Sequence, residues 1–375
     1  MASKVLVTGG AGFIGSHTVD LLLSKGYEVT ILDDLQPRVH PKGKPDYLPT
    51  EAEFIEGDVA NPKDLLKALQ GVEYVVHLAA YQDYLQDFSH FIHTNAESTA
   101  LLFELIQEHN LPVKKMVFAS SQSVAGEGKY LCEEHGLVYP DQRPLEQLRK
   151  GDWEVHCPDC DKIMEPQLID ESIAKPHTSY GVSKFAIEHL GRALGKRFNI
   201  PTACMRYTYV QGTRNSFYNA YSGIARISAL RLLNDQPPLV FEDGMQQRDF
   251  INVVDVANAN LIALEHDGAN HQVLNVGGGE KYTVLDFAET IIKVYGREKD
   301  IEPLITGEFR VGDTRHTVND NSKLEALGWT QTKKLEDTLV EYRDYLDNYK
   351  DEIDAFFEQA EKEMRDQGVI QKSGK

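Results

Sequence analysis

The 375-residue chain is poor in cysteine, in tryptophan, in positive charge and in long apolar runs. Four cysteines in so long a chain argue against a disulfide framework. No stretch of about 18 consecutive apolar residues occurs, so nothing reads as a membrane-spanning helix and no membrane partner is expected. Lysine and arginine number 39 against 58 aspartates and glutamates, a net charge of −19. That balance argues against nucleic acid or an anionic membrane surface as the main partner. It leaves room for a phosphorylated small ligand, which needs only a local basic pocket. The first strand-like run begins almost at once, which leaves no room for a signal peptide, and a cytoplasmic location is expected. Neither an internal repeat nor a low-complexity tract is found.

What the chain does have is a glycine-rich turn between an apolar run and a helical pattern. Val5, Leu6 and Val7 lead into Gly9, Gly12 and Gly15, with Phe13 and Ile14 inside the turn, and a helical pattern follows from Ser16 to Lys25. Strand, glycine turn and helix together make a dinucleotide site. The glycines allow a tight turn, a close backbone approach to a pyrophosphate, and close packing of helix on strand. The phosphates then meet the free N–H groups at the helix N-terminus. A second strand-like run, Tyr27 to Leu32, ends in Asp33. A carboxylate about 20 residues past the glycines suits the adenosine ribose hydroxyls and repels a 2′-phosphate, so NAD is read over NADP.

Further along, short apolar runs alternate with helical patterns. Strands are expected at Glu53–Glu56, Tyr74–Leu78, Lys115–Ala119, Thr202–Tyr207 and Gln272–Val276. Helices are expected from Asn61, over Thr94–His109, from Ser179 to Phe198, and over Tyr218–Leu233, Val253–His266 and Thr283–Tyr295. The charged segment Leu335–Arg365 reads as one or two surface helices. This alternation implies an α/β fold, a Rossmann-type doubly wound parallel sheet with helices on both faces. Residues 1–205 form the NAD-binding part, 206–335 mainly a smaller C-terminal substrate-binding domain with some segments returning to the sheet, and 336–375 a helical tail. Residues 127–170 show no sustained period and read as an insertion.

The chemistry falls on Ser121, Tyr180 and Lys184. Tyr180 and Lys184 stand four apart at a helix start and share one face. A lysine ammonium beside a phenol favours the phenolate and is expected to lower the tyrosine pKa. Such a tyrosinate can remove a hydroxyl proton while hydride leaves the same carbon, and Ser121 at a strand end can hydrogen-bond the reacting oxygen.

With Gly57-Asp58-Val59, His77-Leu78-Ala79-Ala80, Asn95, Arg206-Tyr207, Arg248-Asp249-Phe250-Ile251, Asn275-Val276-Gly277 and Arg310-x-Gly312-Asp313, the chain resembles the extended short-chain dehydrogenases/reductases, the nucleotide-sugar epimerases and dehydratases, over residues 4 to 330. The resemblance implies that Asp58 and Val59 flank the adenine and that Leu78, Ala79 and Ala80 line the cofactor. It places Asn95 and Tyr207 near the cofactor too, makes Tyr180 the acid/base, and has Lys184 also hold the nicotinamide ribose. Arg248 and Arg310 would bind the diphosphate of a nucleotide-diphosphate sugar, and Asp313 its ribose. Ser121, Gln122, Ser123 and Gln211 would meet the substrate. A homodimer through the helices near Asn95 and Tyr180 is also implied.

Dehydratases of this family carry Asp and Glu where this chain has Gln122 and Ser123. Without those carboxylates elimination of water is disfavoured. A 4-epimerase with retained NAD is the first reading. A 4-ketoreductase or dehydrogenase, a UDP-sugar 4-epimerase and a non-catalytic NAD-binding protein are the alternatives. Ala125, Gln82 and Tyr209–Gly212 depart from the galactose epimerases. Ser121–Tyr130, Cys132–His135, Trp153–Cys160 and Arg206–Ser222 most resemble the dTDP-L-rhamnose branch. Within the insertion, Cys132-x-x-His135 and Cys157-x-x-Cys160 suit a tetrahedral structural zinc. The alternatives are plain loop residues or a redox pair. His156 is a competing ligand without paired spacing, and Cys204 reads as an inert core residue.

Overall fold

The computed structural model describes residues 2–83, 87–218, 223–349 and 370–372. Strands β1 (Lys4–Thr8), β2 (Glu28–Asp33), β3 (Glu53–Glu56), β4 (Tyr74–His77), β5 (Lys115–Ser121), β6 (Thr202–Tyr207) and β7 (Gln272–Val276) make one parallel sheet in the order β7-β6-β5-β4-β1-β2-β3. The order reverses between β1 and β4. The crevice beyond the carboxyl ends of those two strands is where such sheets bind ligands.

The helices that matter here are α1 (Phe13–Ser24), α2 (Pro62–Ala68), α3 (Ser98–Glu108), α4 (Ser179–Phe198), α5 (Gly223–Leu233), α6 (Val253–Glu265), α7 (Val284–Val294) and α8 (Leu335–Leu346). Alternate side chains of a strand point to opposite faces. Val5 and Val7 therefore join one core with α1 and α6, while Leu6 joins another with α2, α3 and α4. Every residue of β5 and β6 is buried, as expected for strands covered on both faces. A third core gathers Phe217, Ala229, Phe287, Ile291, Leu339 and Tyr342, so α5, α7 and α8 form a second, smaller layer beyond the strand ends. The expected helix start at Tyr218 runs into residues 219–222, and the expected tail helix continues past Tyr349; both stretches lie outside the described residues.

Two local features differ from the sequence expectation. The helix expected over 94–109 is split, with a π-helical turn at Ile92–Glu97 before α3. That wider turn carries Asn95, whose side chain bonds the backbone of Tyr81 and the hydroxyl of Ser183. The insertion is also ordered. Lys129–Cys132, Gly136–Val138 and Glu165–Gln167 form a three-stranded antiparallel sheet over a core of Tyr130, Val155 and Met164. Strands of three or four residues are too short to print a period in the sequence.

Helix α4 is fixed to the sheet by charge. Arg206 on β6 donates to both carboxylate oxygens of Glu188 on α4, at 2.7 and 2.8 Å, and Ser120 donates to the same carboxylate at 2.5 Å. Both partners are buried. Removing one leaves an uncompensated buried charge. Glu188→Ala is therefore expected to destabilise the fold by about 3–5 kcal/mol. Urea unfolding would read this as a lower midpoint at unchanged slope.

Candidate active site

The glycine turn is shaped by two close approaches. Gly9 has φ +68°, and a Cβ there would stand 2.7 Å from the Ala79 nitrogen on the loop after β4. At Gly15 a Cβ would stand 2.0 Å from the Gly9 carbonyl oxygen. These glycines let α1 start directly against the switch point. Gly12 caps α1 without a side chain, and the first turn carries no acid. A Cβ on Gly12 would meet only the Gly9 oxygen, at 3.3 Å, so its remaining surroundings are open. Such an open N-terminus is built to receive an anion.

Asp33 is buried at the end of β2, accepting N–H bonds from Ala11 and Leu35 at 3.0 Å each. Burial pushes its carboxyl up to about 6, and the two backbone N–H groups pull the other way. Asp58, exposed, and Val59, buried, follow β3; Leu78, Ala79 and Ala80 follow β4. With the glycine turn they border a trough whose anion-receiving end and acidic ribose end fit a dinucleotide. Asn95 gives its side-chain amide to the Tyr81 backbone and the Ser183 hydroxyl. It positions the loop that continues from Ala80. His77 likewise links Thr8 of β1 and Ser98 of α3, at 2.8 and 3.0 Å, and burial holds it neutral with a pKa of about 3.

Beside the trough lies a cavity of about 470 Å³. From the sheet side Phe13, Ile14, Ser121, Gln122, Ser123, Tyr180 and Tyr207 line it; from the second layer come Gln211, Arg248, Arg310 and Asp313. The oxygens Gln122 Oε1, Ser123 Oγ and Gln211 Oε1 are buried without a partner among the described residues. Tyr207 gives its hydroxyl to Asn260 at 2.6 Å and so serves as wall.

Tyr180 and Ser121 line the cavity together, and Ser121 acts on the phenol electrostatically. Lys184 lies one turn on, its Nζ 5.7 Å from the Tyr180 ring centre and donating to the Ala119 carbonyl at 2.9 Å. The geometry does not lower the phenol pKa as the spacing led one to expect. Burial pushes Tyr180 up to about 12, with Ser121 pulling back, and pushes Lys184 down to about 7. Desolvation outweighs the neighbouring charge because both groups are enclosed and the ammonium is turned to a carbonyl.

The expected diphosphate and ribose ligands meet each other. Arg248 Nη2 stands 3.3 Å from Asp313 Oδ1 and donates to the Thr314 carbonyl, while Nη1 donates to the carbonyls of Gln247 and Arg315. Arg310 places its guanidinium 4.6 Å from the centre of the Phe241 ring. Sequence reasoning missed His177, which lines the cavity and ties the start of α4 to the Gly312 carbonyl at 3.2 Å. It also missed Arg226. A lone arginine among Ile224, Ala225, Ile227 and Leu230 was the available signal.

In the insertion, the side chains of Cys132, His135, Cys157 and Cys160 converge with all ligand atoms within 4.8 Å of one another. Cys132 Sγ stands 3.7 Å from Cys160 Sγ and 3.6 Å from His135 Nδ1, and Cys157 Sγ stands 3.4 Å from that nitrogen. His156 is turned away to Asp152 and Asp161. Cys204 lies buried in β6, and burial pushes its thiol up, away from reactivity.

The trough, the cavity and the Ser-Tyr-Lys set between them are the parts of a short-chain oxidoreductase-type site. The pattern of the NAD dependent epimerase/dehydratase family matches residues 5–146 and 156–277, and the chain belongs to that family. It is 32% identical to a dTDP-L-rhamnose 4-epimerase of Burkholderia thailandensis over 92% of this chain and 94% of that one. Among solved structures it is similar to a UDP-glucose 4-epimerase of Thermotoga maritima with UDP-glucose (TM-score 0.74, 27% identity, 92% of this chain and 99% of that one). A UDP-glucuronic acid 4-epimerase of Bacillus cereus with UDP-glucuronic acid and NAD is equally similar (TM-score 0.74, 28% identity, 92% and 99%).

The buried lysine has a consequence for stability. Its folded pKa of about 7 lies below the ordinary 10.5, so between those values the unfolded chain binds more protons than the folded one. Stability gained from this group therefore rises with pH across that window. Lys184→Met is expected to remove that slope, seen as a flatter dependence of the denaturation midpoint between about pH 7 and about pH 10 relative to wild type.

Proposed function

We propose that the chain is a nucleotide-sugar 4-epimerase working with a retained NAD, and that its substrate is dTDP-L-rhamnose. The observation that carries this reading is the placement of Tyr180 and Ser121 at the cavity, between the dinucleotide trough and a wall of arginines. Tyr180 takes the proton of the C4 hydroxyl and returns it; Ser121 hydrogen-bonds the same oxygen. Lys184, behind the phenol, tunes it and holds the cofactor ribose. NAD, held at the glycine turn and by Lys184, would supply the acceptor and donor of the C4 hydride. Gln122 and Ser123 present neutral polar atoms, so the turn after Ser121 lacks the carboxylate acid and base that elimination of water needs there. Their partnerless oxygens suit sugar hydroxyls, as does Gln211. Arg310 and Arg248 face the diphosphate, with Asp313 on the nucleotide ribose.

The similarity to a dTDP-L-rhamnose 4-epimerase over nearly the whole chain supports the rhamnose assignment. The similarity to UDP-sugar 4-epimerases favours a UDP-sugar as the second reading. For the insertion we propose a structural zinc on Cys132, His135, Cys157 and Cys160. Three of the separations, 3.4, 3.6 and 3.7 Å, lie near the edges of a tetrahedron, about 3.5–3.8 Å, that zinc–sulfur bonds of about 2.3 Å and a zinc–nitrogen bond of about 2.0 Å would set. A homodimer would use the neighbourhood of α3 and α4, where Phe88, Ile92 and Val182 are exposed.

NMR of dTDP-L-rhamnose with the purified protein and no added cofactor is expected to show the C4 epimer accumulate to equilibrium. In Tyr180→Phe the rate is expected to fall by about 100-fold or more. An unchanged spectrum would exclude this substrate, and a UDP-sugar panel would then decide the second reading. Elemental analysis should find zinc bound to the wild type, and Cys157→Ser should lose both the metal and thermal stability. A wild type purified under reducing conditions without any bound zinc would refute that site.

A further inference from the structure

We propose that Arg226 is an additional anion-binding residue of the cavity, and that it holds a phosphate oxygen of the bound nucleoside diphosphate. The proposal rests on the reading of the cavity as a nucleotide-sugar site.

Arg226 lies on α5, on a stretch that otherwise supplies apolar contacts: Ala225, Ala229 and Leu230 are buried in the second-layer core. Its residue is only 2% exposed, yet it lines the cavity. Nε donates to the Phe217 carbonyl at 2.7 Å, and among the described residues no carboxylate pairs with it. Four of the other buried arginines are treated differently by the fold. Arg143 meets Glu242, Arg206 meets Glu188, Arg248 meets Asp313, and Arg315 meets Glu154, Glu242 and Asp243. A buried guanidinium without an anion is costly, so a chain that keeps one at a cavity wall keeps it for a ligand's charge. Burial accordingly pushes the Arg226 pKa below its usual value.

Arg248 makes the need for a further cation clearer. Both of its terminal nitrogens are engaged by the carbonyls of Gln247, Thr314 and Arg315 and by Asp313, which also offsets its charge. A diphosphate brings about two negative charges, and with Arg248 offset by Asp313 the pair Arg248 and Arg310 leaves part of that charge for a further cation to balance. Arg226 has its Nε anchored, which fixes the plane of the guanidinium while leaving the terminal N–H groups for a charge-assisted pair with phosphate oxygens. The Phe217 carbonyl thus acts as the positioning group.

The test is calorimetric binding of dTDP, and of UDP, to the full chain, with Arg226→Met, Arg226→Lys and a thermal melt of each. Wild type is expected to bind one of the two nucleotides. Arg226→Met should weaken that binding by about 10-fold or more, without a lower melting temperature, because the change removes an unpaired buried charge. Arg226→Lys should recover part of the affinity. Unchanged nucleotide affinity in a folded Arg226→Met overturns the proposal and leaves the nucleotide-sugar reading standing. A wild type that binds neither nucleotide overturns both. Should Arg226→Met fail to fold, the lysine variant decides: weakened affinity supports the role, because the planar fork is lost, and wild-type affinity overturns it.

Discussion

Arg315 holds three parts of the chain together, and the substrate side of the cavity hangs from it. Its side chain is wholly buried and meets Glu242 at 3.0 Å, Asp243 at 2.7 Å and Glu154 at 2.6 Å. Its backbone N–H donates to Glu127 at 2.6 Å. Burial alone would lower the guanidinium pKa, but the hydrogen bonds to Asp243 and Glu154 raise it above its usual value. Arg143 shares Glu242 from the other side, in a forked pair at 2.9 and 3.0 Å. Glu127 opens the insertion directly after the turn that follows Ser121, and Arg143 and Glu154 lie further along it. The knot thus ties the insertion, the Glu242–Asp243 segment and the segment around Arg315 into one unit. Desolvation makes such a unit costly to assemble and costly to break at any single member.

Through backbone atoms the knot also sets the ligand-facing groups. The carbonyls of Thr314 and Arg315 hold Arg248, and the Asp313 carbonyl accepts from Arg143 at 3.1 Å. His177 reaches the Gly312 carbonyl from the start of α4. The segment Arg310–Asp313 is therefore held from the insertion on one side and from the catalytic helix on the other. A cluster of thiols and imidazole in the insertion is a reasonable device in this setting. The insertion's own core, around Tyr130, Val155 and Met164, is small, and a small core needs a further constraint to hold Glu154 in place.

The sheet was legible because its physics is local. Val5–Val7, Val75–Val76 and Met116–Ala119 are apolar on both faces and announce strands covered by helices. The glycine turn was legible because Gly9 and Gly15 tolerate no Cβ. Tyr180 and Lys184 were legible as a pair, but not in their electrostatics: the pKa directions follow from enclosure by residues distant in sequence. The second layer was harder to read. Gln211, Arg226, Arg248 and Arg310 come from separate segments, and nothing in their local sequence says that they share a cavity. In the insertion, the paired Cys and His spacing told more than hydropathy, because strands of three or four residues carry no period.

The net charge of −19 and an arginine-lined cavity are consistent once distance is considered. Surface acids act through water and salt, and their field decays over about 8–10 Å at ordinary ionic strength. Inside the cavity the effective dielectric constant is lower, so a cation there acts far more strongly on a bound anion. The fold spends carboxylates on its buried arginines elsewhere, in the Arg206–Glu188 clamp and the Arg315 knot. At the cavity it rations them: Arg248 receives a half-exposed Asp313 at 3.3 Å, and Arg226 receives a carbonyl. Under the proposed function, selectivity for a phosphorylated ligand would arise from where acids are withheld. An acidic chain can hold such a ligand, provided that the cations which bind it are buried and incompletely paired.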